Sequence, residues 1–290
     1  MRFMAIHLTV YGQTDVGLVR TTNEDAFVIA DLTGGSLFVD PKVTRFEVGK
    51  RGVLLAVSDG MGGHQAGEVA SALVVESLLR SMAEGCDAGS CDELMEKAAA
   101  QANREVWEAS HVAGREHMGA TLTAVFVHDK TAHIAEVGDS RAYLVRAGHV
   151  RQVTRDQSYV QFLLDSGGLT PEQAKRSELR NVILQAMGLK PDVKVALGRL
   201  ELRQHDCFVL CSDGLTNKVK DDELREVILT SPRLDAACVR LIDLAKSRGG
   251  EDNITVILAG VGGDLPPLVA GERISETLVV LQEYDAPSAK

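Results

Sequence analysis

The sequence is poor in the features that mark disulfide-stabilised, zinc-binding and membrane-spanning proteins. Its five cysteines are odd in number and make no C-x-x-C pair, so they indicate neither a disulfide framework nor a zinc site. No apolar run approaches the ~18 residues of a membrane span. The N-terminal residues also lack an apolar segment followed by a small-residue cleavage site. We therefore expect a cytoplasmic protein with reduced thiols and no membrane attachment.

Basic residues are scarce relative to acidic ones. Thirty-one lysines and arginines stand against 41 aspartates and glutamates, which gives a formal net charge of -10. A nucleic-acid-binding surface needs a basic patch, so this balance argues against that class of protein. An acidic excess suits a site for divalent cations, although a solvated acidic surface is the commoner reason for it.

Hydrophobic periodicity predicts both strands and helices. Continuous apolar runs at 53–57 and 207–211 indicate strands that are buried on both faces. Four apolar runs between 120 and 154 are separated by short turns and predict an antiparallel meander. Helical spacing extends through 66–110 and again through about 233–247. Two groups of strands, each next to helices, predict an α+β fold in which two antiparallel sheets pack together.

The composition changes after residue 262. Residues 263–290 contain turn formers, three of the seven prolines and one short apolar patch. We expect one domain over 1–262 and a flexible C-terminal tail over 263–290. The segment 275–284 could pair as a strand with a partner, or Thr277 could accept a phosphate, but disorder is the simpler expectation.

Two apolar runs end on the same Ser-Asp-Gly sequence. Asp59 and Gly60 follow the first run, and Asp213 follows the second. Asp-Gly is a common turn dipeptide, so each occurrence taken alone predicts only a turn. Other acidic residues also stand where apolar runs start or stop, and these are Glu24, Asp25, Asp139 and Asp252.

Carboxylates at strand ends can converge at one edge of a sandwich, where they repel one another unless protons or cations compensate. No run of basic residues accompanies these acids, so cations are the simpler means. Carboxylate and carbonyl oxygens suit Mg²⁺ or Mn²⁺, and two such ions ~3.5 to 4 Å apart can activate water for attack on phosphorus. Arg20 is a candidate phosphate ligand, because a guanidinium binds phosphoryl oxygens bidentately.

Six motifs in sequence order resemble the metal-dependent serine/threonine protein phosphatases of type 2C (the PPM family), in their bacterial form. They are DVGLVRTTNEDAF, LLAVSDGMGGHQAGEVAS, MGATLTAVFV, AEVGDSRAYLV, FVLCSDGL and GGEDNITVIL, between about residues 5 and 261. The resemblance implies a four-layer αββα sandwich of two antiparallel β-sheets flanked by helix pairs, with the catalytic domain over 1–262. It also implies hydrolysis of phosphoserine and phosphothreonine by a metal-bridging hydroxide, without a covalent intermediate.

The resemblance further implies the site residues, with Asp59 and Arg20 as the catalytic pair. Arg20 would bind the substrate phosphate. The implied ligands of the Mn²⁺ or Mg²⁺ ions are Asp59 between two ions, the Gly60 carbonyl, Asp213 and Asp252 on the first ion, Glu24 and Asp25 on the second, and Asp139 on a possible third. The implied partners are phosphorylated proteins, including a serine/threonine kinase, and the implied state is a monomer.

The sequence departs from the family pattern at Ala120, where threonine or serine is common, and at two positions that bear on catalysis and substrate preference. Met61 stands where eukaryotic members carry a histidine proposed as general acid, and a thioether cannot donate a proton. His64 and a metal-bound water are the alternatives for that role. Gln157 stands where histidine is frequent, which leaves substrate preference open, and we predict that neither Asp156 nor Gln157 is catalytic.

Two other functions stay open at this point. A two-metal centre does not select protein substrates, so a hydrolase of small phosphoesters or nucleotides is one alternative. A catalytically inactive metal-binding scaffold is the other. All six acidic positions are present, which disfavours the inactive scaffold.

Overall fold

A computed structural model describes residues 5–38, 43–62, 65–85, 89–174, 176–269 and 271–284. His64, a candidate proton donor, and Cys86 lie outside these ranges. Within them, no helix combines the length and apolar character needed to cross a membrane.

The strands, in chain order, are β1 (His7–Asp15), β2 (Asp25–Asp31), β3 (Ser36–Phe38), β4 (Thr44–Glu47), β5 (Val53–Met61), β6 (Gly119–Ala120), β7 (Leu122–His128), β8 (Thr131–Val137), β9 (Arg141–Arg146), β10 (His149–Gln152), β11 (Ala196–Glu201), β12 (Cys207–Cys211), β13 (Ile254–Gly262) and β14 (Leu278–Gln282). The helices are α1 (Gln65–Gly85), α2 (Cys91–Ala109), α3 (Tyr159–Asp165), α4 (Pro171–Ala174), α5 (Asp213–Thr216), α6 (Asp221–Thr230), α7 (Leu234–Ser247) and α8 (Ile274–Thr277).

The strands form two antiparallel sheets. One sheet has the order β10-β9-β12-β13-β1-β4, and the other has the order β14-β11-β8-β7-β5-β2-β3, with β6 paired to β5 alone. The predicted meander is wrong as one continuous unit and divides into two hairpins, because β8 and β9 lie in different sheets. Short turns connect β7 to β8 and β9 to β10 as antiparallel neighbours. Such turns are too short for the crossover that parallel strands require.

Three apolar layers hold the sheets and helices together. Alternate residues of β5 explain why its sequence is apolar throughout: Leu54 packs toward α1 and α2, whereas Leu55 packs between the sheets. In the same way Leu210 of β12 faces the space between the sheets and Val209 faces α7. Side chains alternate along a strand, so a strand covered on both faces has to be apolar at every position. The four-layer αββα sandwich is confirmed.

The C-terminal segment differs from the prediction. Residues 263–290 were expected to form a tail outside the domain, but β14 within this segment pairs antiparallel with β11 at the edge of its sheet. Leu265 and Ile274 are buried in the layer between the sheets. The prediction is therefore wrong for the described part of this segment. Residues 285–290 lie outside the described ranges.

A buried ion pair explains why a polar, proline-containing segment docks. The Arg146 guanidinium donates to both carboxylate oxygens of Asp206 at 2.7 Å and to Thr277 Oγ1 at 2.6 Å. Arg203 adds a pair with Glu272 of the same segment at 2.8 Å. The composition of a segment gives no sign of ion pairs with residues far away in the sequence. Backbone pairing to an open sheet edge also needs no apolar run. Thr277, considered above as a phosphate acceptor, is buried in this arrangement.

The contact between Arg146 and Thr277 yields a stability prediction. Thr277→Val keeps the side-chain shape but leaves one N–H of the buried guanidinium without an acceptor. We expect the free energy of unfolding to fall by about 1–3 kcal/mol, measured by urea denaturation. The control is Ser275→Ala, because Ser275 is exposed in the same short helix. Equal stability of the Thr277→Val variant and the parent would contradict the anchoring role.

Candidate metal centre

The predicted metal ligands lie where strands of both sheets begin or end. Asp25 opens β2 and stands directly opposite Asp59 of β5 in the antiparallel register. Asp213 follows β12 as the first residue of α5, and Asp252 precedes β13. The carboxyl of Asp59 lies within electrostatic reach of the other aspartates proposed as ligands, namely Asp25, Asp213, Asp139 and Asp252. Five separate chain segments therefore meet at one edge of the sandwich.

Asp25 has one satisfied and one unsatisfied oxygen. Its Oδ2 accepts hydrogen bonds from Ser212 Oγ and Thr255 Oγ1, both at 2.7 Å. Its Oδ1 is buried and has no hydrogen-bond partner among the described residues. A buried carboxylate oxygen without a partner is costly and calls for a cation or a proton. This atom is where the structure best fits a bound metal ion.

The pKa values of the aspartates point the same way. The aspartate side chains keep some exposed surface, but the surrounding protein encloses them. This enclosure raises the pKa of Asp25 to about 7, although hydrogen bonds from Thr255 and Ser212 act to lower it. Enclosure also raises the pKa of Asp139 to about 8, with the charge of Asp213 adding to the effect. The pKa of Asp59 is raised well above its usual range by enclosure and then by the charge of Asp25. Such groups cannot all be ionised together unless positive charge joins them.

Asp213 belongs to the same group. Enclosure raises its pKa and the charge of Asp252 adds to this, while a hydrogen bond with Asp59 partly opposes the rise. Asn217 also donates to Asp213 Oδ2 at 3.1 Å. Within the part of the chain that the structure describes, no three histidine, cysteine or acidic side chains already stand close enough to share one ion. The donor chemistry nevertheless fits Mg²⁺ or Mn²⁺, because it consists of carboxylate oxygens.

Gly60 is required by close packing of the backbone. A Cβ at this position would lie 2.1 Å from the Gly67 carbonyl oxygen and 2.5 Å from that of Glu24. Gly60 N also donates to the Glu24 carbonyl at 3.0 Å. A Cβ on Gly67 would in turn lie 2.5 Å from Glu24 Oε2. The two glycines therefore let the first turn of α1 press against the segment that carries Glu24, whose carboxylate suits the positive end of a helix.

The sequence analysis did not identify Asn253, which joins three segments of the site. Its Oδ1 accepts from Glu24 N at 2.8 Å, and its Nδ2 donates to the carbonyls of Val16 and Thr22 at 3.0 Å. The side chain is buried, so these bonds fix the loop that carries Arg20 and Glu24 against the start of β13. The feature of the sequence that could have identified Asn253 is its position directly after Asp252.

Asp139 stands on a turn that Gln157 holds in place. Gln157 Oε1 accepts from Gly138 N at 3.0 Å, and Gln157 N donates to the Gly138 carbonyl at 2.8 Å. Asp156 binds the guanidinium of Arg141, with the shortest contact at 2.6 Å. Gln157 is buried by these contacts and Asp156 is engaged by the arginine. Both residues thus support the turn from within the protein, and their lack of a catalytic role stays a prediction.

Arg20 is paired with one of the predicted metal ligands. Its Nε and Nη2 approach the two carboxylate oxygens of Asp252 at 3.0 and 3.1 Å. The Arg20 side chain is 51% exposed, so it stands at the rim of the site. The guanidinium has five N–H donors and these two bonds use only two of them, so Nη1 and the second N–H of Nη2 can still bind a phosphate bidentately. The sequence places both residues at the site but gives no sign of this pairing.

Known proteins resemble this chain over most of its length. A family model described as protein phosphatase 2C matches residues 41–248. The serine/threonine protein phosphatase PstP of Mycobacterium tuberculosis is 35% identical over 276 residues, which cover 93% of this chain and 49% of that protein. The serine/threonine phosphatase stp of Listeria innocua is 35% identical over 250 residues, which cover 85% of this chain and 93% of the relative. The chain thus spans about half the length of the mycobacterial relative.

Solved structures show the same similarity. The catalytic domain of PstP in complex with two manganese ions has a TM-score of 0.73 at 34% identity, over 89% of this chain and all of that chain. A serine/threonine phosphatase of S. agalactiae has a TM-score of 0.77 at 33% identity, over 87% of this chain and 98% of the other.

The raised pKa values give a pH prediction for the protein in EDTA. A carboxyl whose pKa is higher in the folded state than in the unfolded state is stabilising at low pH, and this stability is lost as the pH rises through the folded value. We therefore expect the free energy of unfolding to fall between pH 5 and 8, by at most about 1.4 kcal/mol per pH unit for each such carboxyl. Urea denaturation at several pH values measures this slope.

The Asp25→Asn variant isolates one contribution to the slope. Its slope should be shallower than that of the parent, and Mg²⁺ should restore much of the lost stability of the parent at pH 8. Asp31→Asn at the far end of β2 is the control. A parent stability that is flat or rises with pH in EDTA would contradict the clustering.

Proposed function

The chain belongs to the protein phosphatase 2C family, and we propose that it is a metal-dependent protein serine/threonine phosphatase. The observation that carries the proposal is the convergence of acidic side chains from four other segments on Asp59. An edge built of enclosed carboxylates is suited to hard divalent cations and to the phosphate groups that such cations bind. The relatives named above, which are phosphatases by name, support the same assignment.

We propose Mn²⁺ or Mg²⁺ as the cofactor, with two ions as in the mycobacterial catalytic domain. When bound, such ions lower the pKa of a coordinated water so that it can attack phosphorus in line with the leaving group. Asp59 is the candidate bridging ligand, because Asp25 stands opposite it in the strand register and Asp213 lies close enough for its charge to raise the pKa of Asp59. The other proposed ligands are Glu24, Asp25, the Gly60 carbonyl, Asp213 and Asp252, with Asp139 for a third ion.

The chain's own residues have separate tasks in this proposal. Asp25 is oriented by Ser212 and Thr255, so its free Oδ1 is held in a fixed place. Arg20 at the rim orients the substrate phosphate through the N–H groups that Asp252 does not occupy. Met61 offers no proton for the departing serine or threonine oxygen, so the proton has to come from another donor. A metal-bound water and His64 stay the candidates for that role.

We propose phosphorylated proteins, including a serine/threonine kinase, as the substrates, and a monomer in the cytoplasm as the working form. The names of the bacterial relatives support the substrate class. Cys207, Cys211 and Cys238 are buried and form no disulfide bond among the described residues, which suits a reducing compartment.

Replacing the proposed bridging ligand tests the mechanism. Asp59→Asn should lower the rate of hydrolysis of a phosphothreonine peptide in Mn²⁺ by about 100-fold or more, because one electrostatic element of the site is lost. Asp31→Asn, at the far end of β2, should keep the parent rate. Equal turnover in EDTA and in Mn²⁺, or a fully active Asp59→Asn variant, would overturn it. Faster turnover of nucleotide monophosphates than of phosphopeptides would favour the small-phosphoester alternative.

The role of Arg20 has its own kinetic signature. Arg20→Met removes the bidentate donor, so KM for the phosphopeptide should rise by about tenfold. Arg20→Lys should recover only part of this, because an ammonium group lacks the planar pair of donors. Arg233→Met is the matched control, since Arg233 is an exposed arginine that also pairs with a nearby aspartate. An unchanged KM in Arg20→Met would remove Arg20 from the phosphate site.

A further inference from the structure

A second concave site lies beside the C-terminal strand. It is a cavity of 510 Å³ whose walls come from β8, β11 and β14, from the segment 151–158 and from α3. None of the proposed metal ligands lines it. The volume falls within the range of about 300–1,000 Å³ that is typical of small-molecule sites. We refer to it as the Glu136 cavity.

Glu136 is the exceptional residue of this cavity. Glu136 is only 2% exposed, and neither of its carboxylate oxygens has a hydrogen-bond partner among the described residues. Thr154 is close enough for its hydroxyl to influence the pKa of Glu136, but the two groups do not meet the geometry of a hydrogen bond. A buried carboxyl in this condition is costly to the fold, so a purely structural role does not account for it.

Strand alternation explains how the carboxyl comes to be there. Ala135 and Val137 of β8 pack in the apolar layer against α1 and α2, whereas Ile134 packs in the layer between the sheets. Glu136 shares the face of Ile134, because side chains two residues apart lie on the same side of a strand. It therefore enters the layer between the sheets near its open end, where the cavity begins.

The other acidic groups of the cavity already have partners. Asp156 is held by Arg141, Asp165 pairs with Arg155 at 2.6 Å, and Glu283 stands 3.7 Å from the same arginine. Among the described acidic residues of the cavity, Glu136 alone has no such partner. Burial raises the pKa of Glu136 well above its usual range, and the charge of Asp156 adds to the rise. A positively charged partner would supply the donors that both carboxylate oxygens lack.

The remaining wall selects the kind of cation. Apolar side chains form one part of the wall, among them Ile134, Val153, Phe162, Leu184, Leu197 and Leu278, and polar side chains that include Arg151 and Arg155 form another part. A bare Mg²⁺ or Ca²⁺ ion needs about six oxygen ligands, but the other carboxylates of the cavity are already engaged by arginines. An organic cation needs one carboxylate for its head and an apolar surface for its body.

We propose that the Glu136 cavity binds a small organic amine, whose ammonium group donates to Glu136 and whose apolar body packs between Phe162 and Leu278. The ligand would lie between β14 and α3, and it would touch Gln157, which lines the cavity and holds the turn of Asp139. This site does not depend on the phosphatase activity proposed above.

The test uses 4-phenylbutylamine as the probe and 4-phenylbutan-1-ol as its uncharged match. Isothermal titration calorimetry is run on the full chain with saturating Mg²⁺, so that the amine does not occupy the acidic centre. We expect the amine to bind at least about tenfold more tightly than the alcohol, because a hydrogen bond to an ionised group is worth that much. Glu136→Gln should abolish this preference.

Two variants and a mapping experiment complete the test. Glu226→Gln replaces an exposed glutamate of α6 and should bind both probes like the parent. Phe162→Ala should weaken the amine and the alcohol alike, which keeps the proposal testable if Glu136→Gln does not fold. Equal binding of the amine and the alcohol by the parent would overturn the proposal, and so would an amine affinity that Glu136→Gln leaves unchanged. The mapping experiment follows the NMR shifts of the backbone amides when the amine is added. Shifts confined to the acidic centre would also overturn the proposal. None of these readouts uses turnover of a phosphoester.

Discussion

Mutual repulsion among enclosed carboxyl groups is the constraint around which this structure is arranged. Asp59 lies within reach of four other aspartates, and enclosure by protein makes each negative charge more costly than it would be in water. A fold that brings such groups together has to hold them by other means until cations compensate them. Here the means are strand pairing, hydroxyl donors to Asp25 and the amide of Asn253. The cluster of carboxyl groups therefore lowers the stability of the metal-free fold, and the same arrangement leaves the site ready to bind metal.

The two-sheet architecture makes this convergence possible. Asp25 and Asp59 come from one sheet, whereas Asp213 and Asp252 flank strands of the other. Because the sheets pack face to face through a continuous apolar layer, their strand ends meet at a common edge. Distance along the chain is irrelevant to this geometry, as the contact of Asn253 with Glu24 shows.

Local patterns in the sequence predicted the layers and indicated the acidic side chains that the fold brings together, whose role as metal ligands stays a prediction. Buried strands such as β5 must be apolar on both faces, and acids at their ends stand out against that background. The pairing of Arg20 with Asp252 and the bonds of Asn253 and Gln157 depend on side-chain contacts between distant segments, which no local pattern encodes. The C-terminal segment was misjudged for the same reason, since its docking rests on Arg146 and Arg203 elsewhere in the chain.

The glycines at 60 and 67 have a consequence for mutational surveys of this family. A methyl group at either position would overlap atoms of the neighbouring segment, 2.1 Å away in one case and 2.5 Å in the other. Neither position supplies a side-chain functional group, yet substitution of Gly60 would be tolerated poorly, because the overlap there is with backbone carbonyls of two segments. A survey of tolerance alone would therefore not distinguish this steric requirement at Gly60 from the proposed role of its carbonyl as a metal ligand. Separating the two cases requires metal affinity to be measured apart from folding.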